Sequence, residues 1–404
     1  MTAEHPRGTR GDECMGILME EKCRAGRQRP GCRYGPVRLL GERILPHHLQ
    51  FQGTTVGGLS GIDYDTRAAR YLLVSDDRSV LAPARFYTAQ IELDAGGLHE
   101  VVLTGVTFFR RPDGKAYPSL DEWGPEQFGF PPADRGVFGT VDPEEIRVDP
   151  RTGNMLWSQE GILAESGAGE RIVVDPALRI STPDGCFVRD LPVPCSELYS
   201  GGPGPRQDRA IESVTYAGHG NLVVSVLEDP LLVDGPEPTV LAGGLTRMTV
   251  QSSEGKILAQ YAYELDPLPP GPDGTAADGN TGVSSILACD PGTSTRFLVL
   301  ERAFVAGRGN RVRVYEADVS RATDVLAAPS LVGAPITPAR KTLLVDLADM
   351  GLDRLENIEG MSWGPDVCTG ERTLVLVSDD NFSATQRTQV IALAMARAGG
   401  TRAA

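Results

Sequence analysis

Five copies of one short pattern carry the residues best suited to chemistry. In each copy a small or acidic residue is followed by an apolar one, then a polar turn, then a four-residue apolar stretch ending in polar or acidic groups. The copies open at Leu59-Ser60-Gly61-Ile62, Pro143-Glu144-Glu145-Ile146, Ile211-Glu212-Ser213-Val214, Val283-Ser284-Ser285-Ile286 and Ile358-Glu359-Gly360-Met361. Aligning them puts Ser60, Glu144, Glu212, Ser284 and Glu359 in one column. A second column holds Asp76, Gln159, Glu301 and Asp379, with Asp77, Glu160, Glu228 and Asp380 beside it. If the copies surround one axis, these carboxylates converge on one opening. There they must be protonated, paired with arginine or neutralised by a hard cation. Oxygen ligands of this kind suit Ca2+ better than zinc, which would want His or Cys. The expectation is that Glu144, Glu212 and Glu359 serve as catalytic carboxylates and that Asp76, Asp77, Glu160, Glu301, Asp379 and Asp380 hold calcium. The structural alternative is that each Glu accepts backbone N–H bonds and each Asp ends its strand in a turn.

Basic residues lie close to the acids. Arg85 and Arg302 are the candidates for holding a small anionic substrate, because guanidinium pairs bidentately with phosphate or carboxylate, and Ser60 and Ser284 complete the expected contact set. Other catalytic signatures are missing: there is no G-x-S-x-G elbow, HExxH, Walker loop or dinucleotide fingerprint. Five histidines leave a Ser-His-Asp mechanism few candidates. A net charge of −15 opposes binding to nucleic acid or to anionic membranes.

A ring of acids needs elements that repeat around an axis. Each copy reads as a β-hairpin, with turns such as Asp149-Pro150-Arg151-Thr152-Gly153-Asn154 reversing the chain. Alternating strands follow at 85–93, 171–175, 246–251, 311–318 and 389–393, and further strands at 101–109, 186–192, 257–265 and 341–347. The fifth copy lacks a fourth strand, whereas residues 37–45 form an unpartnered strand ahead of the first. Supplying it would close the ring and leave no open sheet edge. The fold class is therefore all-β, a propeller of five four-stranded blades closed by the N-terminal strand. Six blades are possible if residues 113–132 or 267–278 hide a degenerate one; an irregular β-sandwich is the competing architecture. With 47 glycines and 30 prolines, few long helices should form.

The expected domain spans 36–398, after a disordered leader at 1–35 and before a tail at 399–404. No stretch approaches the roughly 20 apolar residues needed to cross a bilayer. The leader has no secretory hydrophobic core, and its Cys14, Cys23 and Cys32 match no zinc spacing. Cys186 and Cys195 can close a small disulfide in an oxidising compartment, while Cys289 and Cys368 read as buried small hydrophobes.

Several motifs together resemble the phytase-like ("esterase-like activity of phytase") family. They are Gly57-Gly58-Leu59-Ser60-Gly61 with Val74-Ser75-Asp76-Asp77, Asp142-Pro143-Glu144 with Trp157-Ser158-Gln159-Glu160-Gly161, Leu300-Glu301-Arg302-Ala303-Phe304, and Asn357-Ile358-Glu359-Gly360-Met361-Ser362-Trp363-Gly364-Pro365 with Val377-Ser378-Asp379-Asp380-Asn381-Phe382. The resemblance covers about residues 37–395. It implies a bacterial propeller ascribed to phosphatase or esterase chemistry and exported to the periplasm or beyond. The chain departs from the family in lacking a signal peptide and in carrying Ser213 where the family tends to have glycine. The expected function is a metal-dependent hydrolase of phosphate esters, acting as a monomer. The competing expectation is a non-catalytic propeller that binds a metal, ligand or protein at the same opening.

Overall fold

The computed structural model describes residues 34–126, 129–130, 134–165, 169, 171–274 and 278–397. The expected leader and tail lie almost wholly outside them. Five four-stranded antiparallel sheets follow one another along the chain. The first contains Leu59–Asp65, Arg70–Ser75, Arg85–Asp94 and Gly97–Phe108. The second contains Pro143–Val148, Met155–Gln159, Ala177–Ser181 and Phe187–Leu191, and the third Ile211–Ala217, Leu222–Leu227, Leu245–Ser252 and Ile257–Glu264. Gly279–Ala288, Arg296–Val305, Gly309–Asp318 and Arg340–Asp346 make the fourth. The fifth joins Asn357–Trp363, Arg372–Asp379 and Gln389–Arg397 to the N-terminal strand Tyr34–Ile44. The protein is a five-bladed propeller, and the N-terminal strand closes it.

The strands fold this way because both of their faces are apolar. Along the second strand of blade 1, Leu73 packs toward blade 5 with Leu59, Val375 and Leu40, whereas Leu72 and Val74 pack toward blade 2 with Ile146, Met155 and Trp157. That period-two division recurs between every adjacent pair of blades, so the core is five wedges rather than one centre.

Two local readings change. In blade 2 the third strand is Ala177–Ser181; Arg171–Val174, which falls at the strand expected over 171–175, pairs instead with Ile162–Glu165 in a side hairpin. The apolar side chains of 171–175 are drawn to Trp123 in the short helix Leu120–Glu126. No sixth blade forms among the described residues. Cys186 and Cys195 are free thiols, Cys289 is buried as expected, and Cys368 is exposed because it sits on the reversal before the strand Arg372–Asp379.

The first strands of the blades surround the axis, where space is shortest. A Cβ on Gly61 would stand 2.6 Å from Glu145 Oε1, and one on Gly360 would stand 3.0 Å from the Ser60 carbonyl. Ser213 and Ser285 fill the matching positions of blades 3 and 4, both fully buried. Blade 2 supplies the one large pair. Arg147 Nη2 donates to Glu145 Oε2 at 2.7 Å and to Ile286 O at 3.0 Å, its Nε to Val214 O at 3.0 Å, and its Nη1 to Ile62 O. One guanidinium thus ties blades 1, 2, 3 and 4 together and plugs the axis.

Two outcomes follow. Deleting Tyr34–Ile44 should abolish cooperative melting measured by circular dichroism, because losing a closing strand rivals a whole-domain stability of about 5–15 kcal/mol; unchanged melting would refute closure. Arg147→Met should cost about 3–5 kcal/mol in denaturant unfolding, because Glu145 is left buried without its partner, and Glu145→Gln in the same chain should restore part of it.

Candidate functional site

Each inner strand breaks register at the same place. The shifts fall between Leu59 and Gly61, Pro143 and Ile146, Ile211 and Ser213, Val283 and Ser285, and Ile358 and Gly360. The extra residues are Ser60, Glu144 with Glu145, Glu212, Ser284 and Glu359. A bulge re-aims the side chain it adds, and five bulges gather one ring at one mouth of the axis. The ring serines clamp neighbouring blades: Ser60 Oγ donates to Pro143 O and Ser284 Oγ to Ile358 O, each at 3.3 Å.

A second tier comes from the ends of the neighbouring strands. The amides of Asp76, Glu160 and Glu228 donate to Gly58 O, Asp142 O and Ala210 O at 2.7, 3.0 and 2.8 Å. By strand register the matching residues are Arg302, opposite Gly282, and Asp379, opposite Asn357. Neighbouring positions on a strand face opposite ways, which decides the fate of the other candidates. Glu301 turns to the cleft between blades 3 and 4, accepting from Tyr263 Oη at 2.7 Å and Asp266 N at 3.2 Å and pairing with Lys341. Asp77 pairs inside blade 1 with Arg85, whose guanidinium is wholly buried and also bonds Thr55 O at 2.8 Å. Asp380 receives Gly58 N at 2.9 Å and Thr388 Oγ1 at 3.0 Å. Glu301, Asp77, Arg85 and Asp380 are therefore not brought to the mouth.

Loops add groups from outside the two aligned columns. Asp142 precedes the second inner strand and Asp208 the third; Arg78 bonds Asp142 Oδ1 at 2.8 Å and stands 3.5 Å from Asp208. Arg78 and Asp208 both have positive φ, a strained backbone that turns each side chain onto the mouth. Arg209 Nη1 and Arg302 Nη2 share Glu228 Oε1 at 2.7 and 3.2 Å, and Arg302 also donates to Glu359 Oε1 at 3.1 Å.

Carboxylates outnumber these three guanidinium groups. Asp76, Asp142 and Glu144 offer oxygens within 4.8 Å of one another, as do Asp142, Glu160 and Asp208, and Glu144, Glu160 and Glu212. Asp142, Glu144 and Glu160 each belong to two of the groups. Burial, reinforced by the adjacent Asp76, holds the Asp142 carboxyl well above its usual range. Burial and Glu212 do the same to Glu144, burial and Glu228 to Glu212, and burial and Glu359 to Asp379. Glu160 is pushed up to about 8 by burial and Glu228. Burial lifts Glu359 to about 7 against the pull of Arg302. The site is short of positive charge. Asp142 Oδ2 is wholly buried with no hydrogen-bond partner, so the all-oxygen donor set fits a hard cation.

A closed propeller with a carboxylate-crowded axial mouth is the class that fold and site define. The chain matches the family model Phytase-like, esterase-like activity of phytase, over residues 54–382, and belongs to that family. Among curated proteins none matches. Solved structures with a similar chain path include a periplasmic gluconolactonase of Pseudomonas aeruginosa, at 10% identity, 85% of this chain, 87% of that chain and a TM-score of 0.32. The β-fructofuranosidase of Schwanniomyces occidentalis, complexed with fructosyl-erythritol, has 9% identity, 89% and 58% coverage and a TM-score of 0.38. The β-propeller domain of Cps50 (Swd1) from Myceliophteria thermophila has 9% identity, 86% and 98% coverage and a TM-score of 0.33.

The raised carboxyls set a pH dependence. The folded protein keeps protons on Glu160 and Glu359 that the unfolded chain releases above about pH 4.5, so this stability is full below that pH and lost as pH rises through about 7 to 8. In chelator-treated protein the melting temperature should fall from about pH 5 to about pH 8.5, each group contributing a slope of up to about 1.4 kcal/mol per unit. Saturating calcium should flatten that fall. A melting temperature that rises over the same interval without calcium would contradict the crowding.

Proposed function

We propose that the acidic mouth is the active site of a cation-dependent hydrolase of phosphate esters, with Asp76, Asp142, Glu144, Glu160 and Glu212 holding calcium. The observation that supports it is the three overlapping carboxylate groups around the unpartnered Asp142 Oδ2, with arginines on the facing side. When bound, a hard cation supplies Lewis acidity toward a phosphoryl oxygen and lowers the pKa of water. Arg302 keeps its Nε without a hydrogen-bond partner and, with Arg209, is fixed by Glu228 where it can take the charge of the ester. Glu359, raised to about 7, can hold or release a proton at Oε2, because its Oε1 already accepts from Arg302 and Asn357. Asp379 and Glu228 complete the rim, while Asp77, Glu301, Asp380 and Arg85 have no part in this assignment.

Both ring serines donate to backbone carbonyls, and among the described residues no histidine has a hydrogen bond or ion pair to the cluster. A Ser-His nucleophile therefore has no support here, which leaves water as the attacking group. The same observation favours a second reading, a propeller that binds cation and ligand without turning anything over.

One experiment separates the two. Full-length protein is assayed on p-nitrophenyl phosphate and p-nitrophenyl acetate with calcium or chelator, and thermal stabilisation is recorded in parallel. Calcium at about a hundred times its dissociation constant should stabilise by about 2.7 kcal/mol. Asp142→Asn should remove most of that shift together with phosphate-ester turnover, whereas Glu254→Asn, on an exposed turn, should leave both intact. Stabilisation without turnover of either ester would establish the binding reading, and the absence of both would make the mouth structural.

A further inference from the structure

Blade 4 rises past the mouth, and the other blades do not. In blades 1, 2, 3 and 5 the pairing of the first two strands starts one or two residues ahead of the ring, at Leu59, Pro143, Ile211 and Asn357. In blade 4 it starts five residues ahead of Ser284, with Gly279 opposite Val305, and the third strand follows it up to Gly309. The extra length, 279–281 against 303–305 and 309–311, makes a three-stranded wall about 10 Å tall at about 3.3 Å per residue.

The two faces of the wall differ. On the side of blade 3, Thr281, Ala303 and Val305 are buried, Ala306 N donates to Asp278 O at 2.8 Å and Arg308 Nη1 to Pro270 O at 2.9 Å, so the wall is held from behind. On the side of blade 5, Arg302 and Phe304 continue the face on which Leu298 and Leu300 pack against Ile358 and Met361. Arg302 bonds Glu228 and Glu359 at the mouth. Phe304, two residues on, stands about 7 Å above that level. Blade 5 ends its own ladder where Asn357 pairs with Asp379, so no strand of that sheet rises to cover the ring. Phe304 is 43% exposed, and it is the one exposed Phe, Tyr or Trp among the described residues. Its cross-strand neighbours are Asn280 and Asn310. Asn280 Oδ1 accepts from Arg302 Nη1 at 3.0 Å and Asn310 Nδ2 donates to Leu355 O at 3.4 Å, so both frame the ring and are themselves held in place. Single exposed apolar side chains are ordinary on a surface; this one is fixed on a strand, at the rim of an opening, on the one blade that continues past it.

We propose that the wall is the specificity surface of the mouth and selects phosphate esters whose alcohol carries an aromatic ring, which lies against Phe304 while the phosphate is held at the mouth below. A side chain already fixed on a strand loses little freedom when a ligand covers it, and ring against ring adds to the apolar contact. A polyol ester would gain neither and would leave Phe304 in water. This selection rests on the phosphate-ester reading of the mouth, and the two fail in different ways.

The test measures affinity by calorimetry and kcat/KM by phosphate release, on full-length protein in calcium. The ligands are benzyl phosphate, cyclohexylmethyl phosphate and glycerol 1-phosphate, all esters of primary alcohols. Benzyl phosphate should exceed the other two by about fivefold in both measurements. Phe304→Leu, which keeps an apolar side chain and removes the ring, should bring benzyl phosphate down to the level of cyclohexylmethyl phosphate and change glycerol 1-phosphate by less than about twofold. No advantage of benzyl over cyclohexylmethyl phosphate, or a Phe304→Leu effect of one size on all three esters, would overturn the selection and leave the hydrolase standing. A benzyl preference in affinity without phosphate release would keep the selection and refute hydrolysis. No affinity for any of the three esters would overturn both.

Discussion

Five strands converging on one axis leave almost no room for side chains, and the rest of the molecule follows from that shortage. Where the strands come nearest, blades 1, 3, 4 and 5 carry Gly61, Ser213, Ser285 and Gly360, and blade 2 alone inserts Glu145 and Arg147. Side chains excluded from the narrowest level must lie above or below it. The bulge residue one position earlier in each strand is turned to the mouth, which makes the ring of Ser60, Glu144, Glu212, Ser284 and Glu359. Packing at the axis thus dictates where chemistry can be placed.

The plug and the mouth solve opposite electrostatic problems with similar residues. At the plug, a buried guanidinium meets one carboxyl, four backbone carbonyls and one hydroxyl, so its donors are spent, although burial still pushes Glu145 up to about 8. At the mouth, Asp76, Asp142, Glu144, Glu160 and Glu212 crowd together, with Arg78 bonded to Asp142 and 3.8 Å from Asp76. A purely structural ring would be more stable if it were apolar. The retained carboxyls either keep protons or exchange them for a cation, and the raised titration of Asp142, Glu144 and Glu212 is the physical trace of that deficit.

The blade count, the closing strand and the whole first ring were legible in the sequence, because a hairpin repeat preserves the position of its bulge residue. The second tier was only partly legible. Ending each apolar run on its acid put Glu301 and Gln159 level with Asp76 and Asp379, but the ladders put Arg302 and Glu160 there. A one-residue offset turns a side chain to the other face, so Glu301 fell in an interblade cleft and Arg302 moved to the mouth. Arg85 was a candidate anion binder because it lies close to the acids in sequence, yet its strand directs it inward onto Asp77. Asp142 did leave a signal: two residues before the ring position the blades have Gly58, Asp142, Ala210, Gly282 and Asn357, and only blade 2 puts an acid there. Asp208 left none, since its place depends on a loop that closes only in three dimensions.

The departures from fivefold symmetry give the mouth a direction. Blades 1, 2 and 3 contribute every carboxylate of the three overlapping groups, with Asp208 from the loop before blade 3. Blade 4 answers with Ser284 in the ring and Arg302 in the second tier, so its contribution is neutral below and positive above. Arg302 then binds Glu228 of blade 3 and Glu359 of blade 5, which fixes the positive charge against both neighbours. The second-tier arginine is therefore held between two carboxylates, and the crowded carboxylate groups lie on blades 1 to 3. A symmetric ring of acids would hold a cation on the axis and repel any phosphate that approached it. On the hydrolase proposal, exchanging one second-tier acid for arginine is what would let the mouth hold both charges of a metal-bridged phosphate ester.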